Sequence, residues 1–135
     1  MSKASVIACN SLSKSYVEGQ NPVEVLNNIS LNVEKGERIA IIGSSGCGKS
    51  TLLNLLGGLD TPSHGEVIIA NQHIANLNED DRGKLRNRYL GIVYQFHHLL
   101  GEFTALVNVA MPLLIGNYSV AASTLKATEI LTCPL

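Results

Sequence analysis

Residues 43–51 read GSSGCGKST and bring glycines, hydroxyl groups and one ammonium group into a short stretch. Glycine lacks a Cβ atom, so the backbone can turn sharply and direct successive N–H groups inward, which creates a nest for an anion. Gly43 and Gly48, followed by Lys49 and Ser50, match the pattern G-x-x-x-x-G-K-[ST]. This spacing predicts a phosphate-binding loop.

Different residues of this loop suit different parts of a nucleotide. We expect the Lys49 ammonium to reach the β and γ phosphates, the Ser50 hydroxyl to ligate Mg²⁺, and Thr51 to support the α phosphate. A helix that begins near Lys49 would add the positive end of its dipole. The alternative is a glycine-rich turn that only joins a strand to a helix. The predicted cofactor-binding residues of the loop are Gly43, Ser44, Ser45, Gly46, Cys47, Gly48, Lys49, Ser50 and Thr51.

The elements around the loop must hold it in place. The apolar run RIAIIG at residues 38–43 predicts a strand buried on both faces, and leucines at helical spacing in residues 49–59 predict a helix. The motif therefore has the strand-loop-helix context that it requires. The other predicted elements are strands at 6–12, 23–33, 66–70 and 90–95, a polar loop at 13–22, a charged helix near 79–88, and helices from residue 104 and from about 119.

Composition limits the classes of protein that fit. The chain has 135 residues, which is enough for one domain, and 10 basic against 11 acidic residues give a net charge of -1. No strong positive field is present, so we expect no nucleic-acid partner. Three cysteines without C-x-x-C spacing predict reduced thiols and neither a disulfide frame nor a zinc site. The N-terminus does not read as a signal peptide, which favours a cytoplasmic location.

Residues 103–125 contain no charged side chain and are numerous enough to cross a bilayer. Asn108, Pro112, Gly116 and Asn117 interrupt this stretch. The sequence PLLIGNYS is typical of a helix end followed by a turn. A membrane span remains an alternative, but the pattern favours buried helix.

Several longer stretches carry a resemblance to a known family. SLSKSY at 11–16, GSSGCGKSTLLNLLGGLDTPSHGEV at 43–67, YQFHHLL at 94–100 and FTALVNVAMPLLIG at 103–116 resemble ATP-binding subunits of ABC transporters, and within them the lipoprotein-releasing type. The resemblance runs from about residue 9 to residue 116. It implies an α/β fold, the ABC-type P-loop NTPase domain, with a β-rich N-terminal part and the start of a helical subdomain. On this basis residues 1–135 are a partial nucleotide-binding domain.

The resemblance also implies roles for residues outside the loop. Tyr16 matches the aromatic residue that stacks on adenine, although an ordinary surface tyrosine is the alternative. Gln95 matches the catalytic glutamine that touches Mg²⁺ or the attacking water, against the alternative of a solvated glutamine. The adjacent His97 and His98 would face the membrane-embedded partner. Val107 departs from the family pattern, which has a Glu that would complete a capping box with Thr104.

For the whole protein, the resemblance implies ATP and Mg²⁺ as cofactors and ATP hydrolysis coupled to lipoprotein release. The implied partners are the transmembrane subunits of the transporter and a second copy of the ATP-binding subunit. The implied location is cytoplasmic, peripheral on the inner face of the inner membrane.

Three features of the family do not occur in the sequence. These are an LSGGQ-type signature, an apolar strand that ends in Asp-Glu, and a switch histidine. We therefore expect a truncated or frame-disrupted product that binds ATP without hydrolysing it, or an inert remnant. Another P-loop NTPase, a GTPase or a small-molecule kinase, is a further alternative. DDRG at residues 80–83 matches the GTPase pattern D-x-x-G, but no N-K-x-D for guanine is present.

Overall fold

The computed structural model describes residues 5–19, 21–94, 96 and 98–133. The chain divides into two units, Met1–Tyr89 and Leu90–Leu135. The strands are β1 (Ser5–Glu18), β2 (Asn21–Glu34), β3 (His64–Ile69) and β4 (Gln72–His73). The helices are α1 (Lys49–Leu56), α2 (Glu79–Tyr89), α3 (Ala105–Ile115) and α4 (Val120–Thr132), with a 3₁₀ turn at Ile74–Asn76.

The first unit is built on a four-stranded antiparallel sheet in the order β2-β1-β3-β4. β1 and β2 form a long hairpin that turns at Gly19, whose φ is 68°. The predicted polar loop at 13–22 is wrong for most of its length, because β1 continues to Glu18 and pairs Tyr16 with Val23, and the chain turns only at the end of β1. Pairing within a hairpin satisfies the backbone groups of polar and apolar residues equally, so a polar composition did not mark a loop here.

Helix α1 contacts both strands of this hairpin. Its leucines at helical spacing include three buried residues, Leu52, Leu55 and Leu56. The buried apolar residues of the sheet are Cys9, Leu12, Leu26, Val67 and Ile69. Burial of a leucine side chain contributes about 1.5–3 kcal/mol. The apolar face of α1 therefore anchors the loop that precedes it.

Two predicted strands do not form. Residues 37–44 and residues 90–94 have no regular secondary structure, and Gln95 lies outside the described residues. Ile42 is 92% exposed and Val93 is 99% exposed. A strand buried on both faces needs neighbouring strands to accept and donate its backbone hydrogen bonds, and neither run has a ladder partner in the described part of the chain. The loop at 43–51 is thus followed by its helix but not preceded by a strand.

The predicted charged helix is α2. Asn78 caps it, because its Oδ1 accepts a hydrogen bond from the Asp81 N–H at 2.8 Å. Acidic residues lie in its first turn and Arg86 and Arg88 in its last turn, as the helix dipole favours. The DDRG sequence lies inside this helix and not after a strand, which disfavours a GTPase switch loop.

The second unit contains α3 and α4, which pack against each other. Ala110, Ser123 and Ala127 are buried there. The uncharged stretch 103–125 forms α3, a turn at Gly116 and Asn117, and the beginning of α4. Across the residues that the structure describes, no helix is both long enough and apolar enough to span a bilayer.

Candidate phosphate-binding site

The loop closes onto β2 at Gly48, the residue immediately before α1. Gly48 has φ 90° and ψ 6°, in the left-handed region that favours glycine. A Cβ atom at this position would lie 3.0 Å from the Val25 carbonyl oxygen and 2.9 Å from Leu26 Cδ2. The second glycine of the motif is therefore required both by its conformation and by the approach of β2.

The beginning of the loop folds back toward its middle. The Cys47 N–H donates to the Ser44 carbonyl oxygen at 3.4 Å. A Cβ atom at Gly43 would collide with the Cys47 sulfur. The first glycine of the motif therefore permits the close approach of the two ends of this turn.

A cavity of about 310 Å³ opens at the N-terminus of α1. Its volume lies at the lower end of the range of about 300–1,000 Å³ that is usual for ligand pockets. The first turn of α1 contains no acidic residue, so the partial positive charge of the helix end is not neutralised there. This combination favours an anion. The lining residues are Val25, Ser45, Gly46, Gly48, Lys49, Ser50 and Thr51.

The Lys49 ammonium lies over the loop. It donates to the carbonyl oxygens of Gly43 at 2.9 Å and Ser44 at 2.6 Å, and Cys47 Sγ is 3.5 Å away. An ammonium group has three donors and no acceptor. Because carbonyl oxygens are neutral, phosphate oxygens can replace them as stronger, charge-assisted acceptors.

Tyr16 lies on β1, one strand away from the part of β2 that lines the cavity. Its backbone partner is Val23, two residues before the cavity residue Val25. The side chain is 43% exposed. The tyrosine hydroxyl donates to Asp60 Oδ2 at 3.0 Å, and the Lys14 ammonium lies 4.8 Å from the ring centroid. Its predicted role in stacking on adenine stays a prediction.

Lys14 and Asp60 form an ion pair that sequence reasoning missed. Lys14 Nζ is 2.8 Å from Asp60 Oδ1, and it also donates to the Thr61 carbonyl oxygen at 2.7 Å. Lys14 is 8% exposed. The Lys14 hydrogen bond, together with those from the Thr61 N–H and the Tyr16 hydroxyl, holds the pKa of Asp60 below its usual range. No local pattern in the sequence indicates this ion pair, because its two residues are 46 positions apart.

The remaining predicted site residues belong to the second unit. Gln95 and His97 lie outside the described residues, so their predicted roles stay predictions. The His98 ring lies edge-on to Tyr94, with 4.9 Å between the centroids. Within the described residues, no group of three or more His, Cys, Asp or Glu side chains could hold a metal ion. The Ser50 hydroxyl in the cavity wall remains as a candidate ligand for Mg²⁺ that is also bound by phosphate.

Comparison with known proteins identifies relatives across most of the chain. The family model described as ABC transporter matches residues 26–132. The lipoprotein-releasing system ATP-binding protein LolD of Pseudomonas fluorescens is 57% identical over 131 residues, which are 97% of this chain and 58% of that protein. LolD of Alcanivorax borkumensis is 57% identical over 126 residues, 93% of this chain and 55% of that protein. The chain thus spans little more than half the length of these curated relatives.

Solved structures show the same fold. The ATP-binding cassette MJ0796, in a dimeric post-hydrolysis state bound to ADP and Pi, has a TM-score of 0.85 and 37% identity. The match covers 93% of this chain and 55% of that one. It confirms the predicted fold class, the α/β ABC-type ATP-binding domain. With its family match, its relatives and its fold in agreement, the chain belongs to the ABC transporter family.

Proposed function

We propose that this chain is part of the ATP-binding subunit of an ABC transporter of the lipoprotein-releasing type, and that its loop binds the phosphates of ATP together with Mg²⁺. The observation that carries the proposal is the cavity at the N-terminus of α1, whose lining includes Gly48 and Lys49. Its polar groups are backbone N–H groups, hydroxyls and one cation, which match the chemistry of a polyphosphate.

The residues of the loop divide the work of binding. The Lys49 ammonium exchanges the carbonyls of Gly43 and Ser44 for β- and γ-phosphate oxygens. Ser50 contributes its hydroxyl to Mg²⁺, and Thr51 supports the α phosphate. Mg²⁺, when bound, would neutralise part of the negative charge of the phosphates. Tyr16 stacks on adenine, and Gln95 contacts Mg²⁺ or the attacking water.

The relatives supply the proposed context. LolD is described as a lipoprotein-releasing system ATP-binding protein, so we assign the same cargo class to the transporter of this chain. The dimeric structure of MJ0796 favours pairing with a second ATP-binding subunit. Transmembrane subunits are the other proposed partners, so we assign the protein to the cytoplasmic, inner face of the inner membrane.

Equilibrium titration with a fluorescent ATP analogue tests the phosphate site. Lys49→Ala should weaken binding of the magnesium complex, because it removes the only ammonium group of the loop. The matched control is Lys84→Ala, since Lys84 is exposed on α2 and lies 3.4 Å from Asp81. Equal affinity of the parent and Lys49→Ala would contradict the assignment, and GTP competing as well as ATP would favour a different P-loop NTPase.

A further inference from the structure

The Tyr16 side chain is held at two points although it is nearly half exposed. Its hydroxyl donates to Asp60 Oδ2 at 3.0 Å, and the Lys14 ammonium lies 4.8 Å from the centroid of its ring. Together, Lys14, Tyr16 and Asp60 form a cluster that we call the Asp60 cluster. An exposed tyrosine without such contacts exchanges between rotamers on the picosecond-to-nanosecond timescale. These contacts therefore fix the ring in one orientation.

Asp60 is itself fixed by the end of α1. Helix α1 ends at Leu56, and the Leu59 N–H donates back to the Asn54 carbonyl oxygen at 2.9 Å, which holds the segment that leads to Asp60. Asp60 Oδ1 then accepts from Lys14 Nζ at 2.8 Å and from the Thr61 N–H at 2.7 Å. One carboxylate thus connects the segment after α1 to β1.

The segment after Asp60 is tied to the same strand. The Ser63 N–H donates to the Ser13 carbonyl oxygen at 2.9 Å, and the Ser15 N–H donates to Ser63 Oγ at 3.0 Å. Because these bonds lie on either side of Lys14, the carboxylate has little freedom relative to Tyr16. The position of Asp60 is therefore rigid on both the helix side and the strand side.

We propose that Asp60 is a positioning residue for the nucleotide base. It holds the Tyr16 ring in a stacking orientation before the ligand arrives, and Lys14 confines the base to the opposite face of the ring. Helix α1 and the segment after it then serve both ends of the ligand, since the first turn of α1 lines the phosphate cavity and Asp60, beyond the helix end at Leu56, orients the Tyr16 ring. This inference rests on the proposed function, in which Tyr16 stacks on adenine.

A prearranged ring lowers the entropic cost of binding. Immobilising one rotamer-rich side chain on binding weakens affinity by about 2- to 10-fold. Release of the Tyr16 ring should therefore weaken binding of a base-containing ligand by about this factor. Binding of a ligand that has phosphates but no base should not change.

The decisive variant is Tyr16→Phe. It keeps the aromatic ring and the Lys14–Asp60 ion pair, and it removes only the hydroxyl that donates to Asp60. Affinities for Mg-ATP and for magnesium tripolyphosphate are measured on the purified chain by calorimetry. We expect weaker binding of ATP, by about 2- to 10-fold, and unchanged binding of tripolyphosphate. Parental affinity for ATP, or an equal loss for both ligands, would overturn the inference.

Asp60→Asn and the double variant provide the coupling test. If the carboxylate acts through Tyr16, Asp60→Asn should show the same selective loss, and the double variant should bind ATP no more weakly than Tyr16→Phe alone. Additive losses would overturn the inference, because Asp60 would then act by another route. Asp81→Asn is the matched control, since Asp81 pairs with Lys84 on α2. Should Asp60→Asn fail to fold, Tyr16→Phe still decides the question.

The two proposals fail in different ways. If Lys49→Ala leaves the affinity for tripolyphosphate unchanged, the proposed phosphate site is wrong. If Tyr16→Ala binds ATP as tightly as the parent while Lys49→Ala loses affinity for both ligands, Tyr16 does not stack on the base. The proposed phosphate site would then still stand.

Discussion

Gly48 shows how a single residue can be fixed by two separate constraints. Its φ of 90° costs a residue with a Cβ atom about 1–2 kcal/mol, and the added Cβ atom would also press on Val25 and Leu26. Gly36 has a similar φ of 82°, but a Cβ atom there would meet nothing within 4 Å. A comparison of alanine substitutions at the two glycines therefore separates the cost of the positive φ from the cost of the steric contact with β2.

We predict that Gly48→Ala lowers the free energy of unfolding by more than Gly36→Ala, with a difference of about 1–3 kcal/mol from overpacking. Gly48→Ala should also weaken ATP binding, because the loop must move away from β2. Urea denaturation and ATP titration of both variants measure the two effects. Equal losses of stability in the two variants would show that β2 moves to accommodate the added Cβ atom without a loss of free energy.

Asp60 predicts a dependence of stability on acid. Its pKa is lower in the folded chain than the unfolded value of about 3.9. Such a carboxyl stabilises the fold above the unfolded-state pKa, and the stabilisation disappears as the pH falls through the folded-state pKa. The free energy of unfolding should therefore decrease as the pH is lowered below about 4, and Asp60→Asn should decrease less. Urea denaturation at pH 5 and pH 3 measures this dependence. If the free energy of unfolding of Asp60→Asn decreased as much as that of the parent, the prediction would be wrong.

At the scale of an element, Asn108 fastens the loop before α3. Its amide nitrogen donates to the carbonyl oxygens of Leu100, Phe103 and Thr104 at 3.1, 3.2 and 3.0 Å, and its Oδ1 accepts from the Leu100 N–H at 2.9 Å. Thr104 caps the helix independently, because its hydroxyl oxygen accepts from the Val107 N–H at 3.3 Å. The helix start thus keeps the half of a capping box that Thr104 supplies.

We predict that Asn108→Ala costs about 1–3 kcal/mol, the net value of several hydrogen bonds. The Leu100 amide should lose protection from hydrogen exchange. Thr104→Ala is the comparison, since it removes one cap bond, worth about 1 kcal/mol, and should affect the Val107 amide. Retained protection of Leu100 in Asn108→Ala would show that the loop does not depend on this side chain.

The elements differ in how well their sequence predicts them. α1, α2, α3 and α4 follow the sequence pattern closely, because capping residues and helical spacing are local signals. RIAIIG failed as a strand for the opposite reason: an apolar run becomes a strand only where other chain segments pair with it. The phosphate loop was predictable because its glycines and lysine are consecutive, whereas Asp60 was not, since it meets Lys14 from 46 residues away.

At the scale of the whole molecule, we predict that these 135 residues bind ATP without turning it over. Hydrolysis needs a carboxylate base, which alone contributes a factor of about 10²–10⁴, and the cavity lining contains no acidic residue. The nearest acidic cluster in sequence, Glu79 to Asp81, opens α2 and pairs with Arg82 and Lys84. In their proposed roles, Lys49, Ser50 and Gln95 position the ligand, but none of them is a base that removes a proton from water.

The measurement is phosphate release at saturating Mg-ATP, with Lys49→Ala to reveal contaminating ATPases. Steady release by the parent that disappears in Lys49→Ala would contradict the prediction and point to a base elsewhere in the chain.

The exposure of Ile42 and Val93 affects the interpretation of the ATP-binding titrations. Both lie in uncharged runs rich in β-branched residues, and neither run has a ladder partner among the described strands. Exposed runs of this kind can form intermolecular β-strand pairs. Self-association through these runs would remove molecules that can bind ATP and leave the remaining monomers unchanged. It would therefore lower the fraction of active protein and not the affinity of each active molecule. Stoichiometry should thus drift with protein concentration while the dissociation constant stays fixed, and variants are comparable only at equal, low concentration.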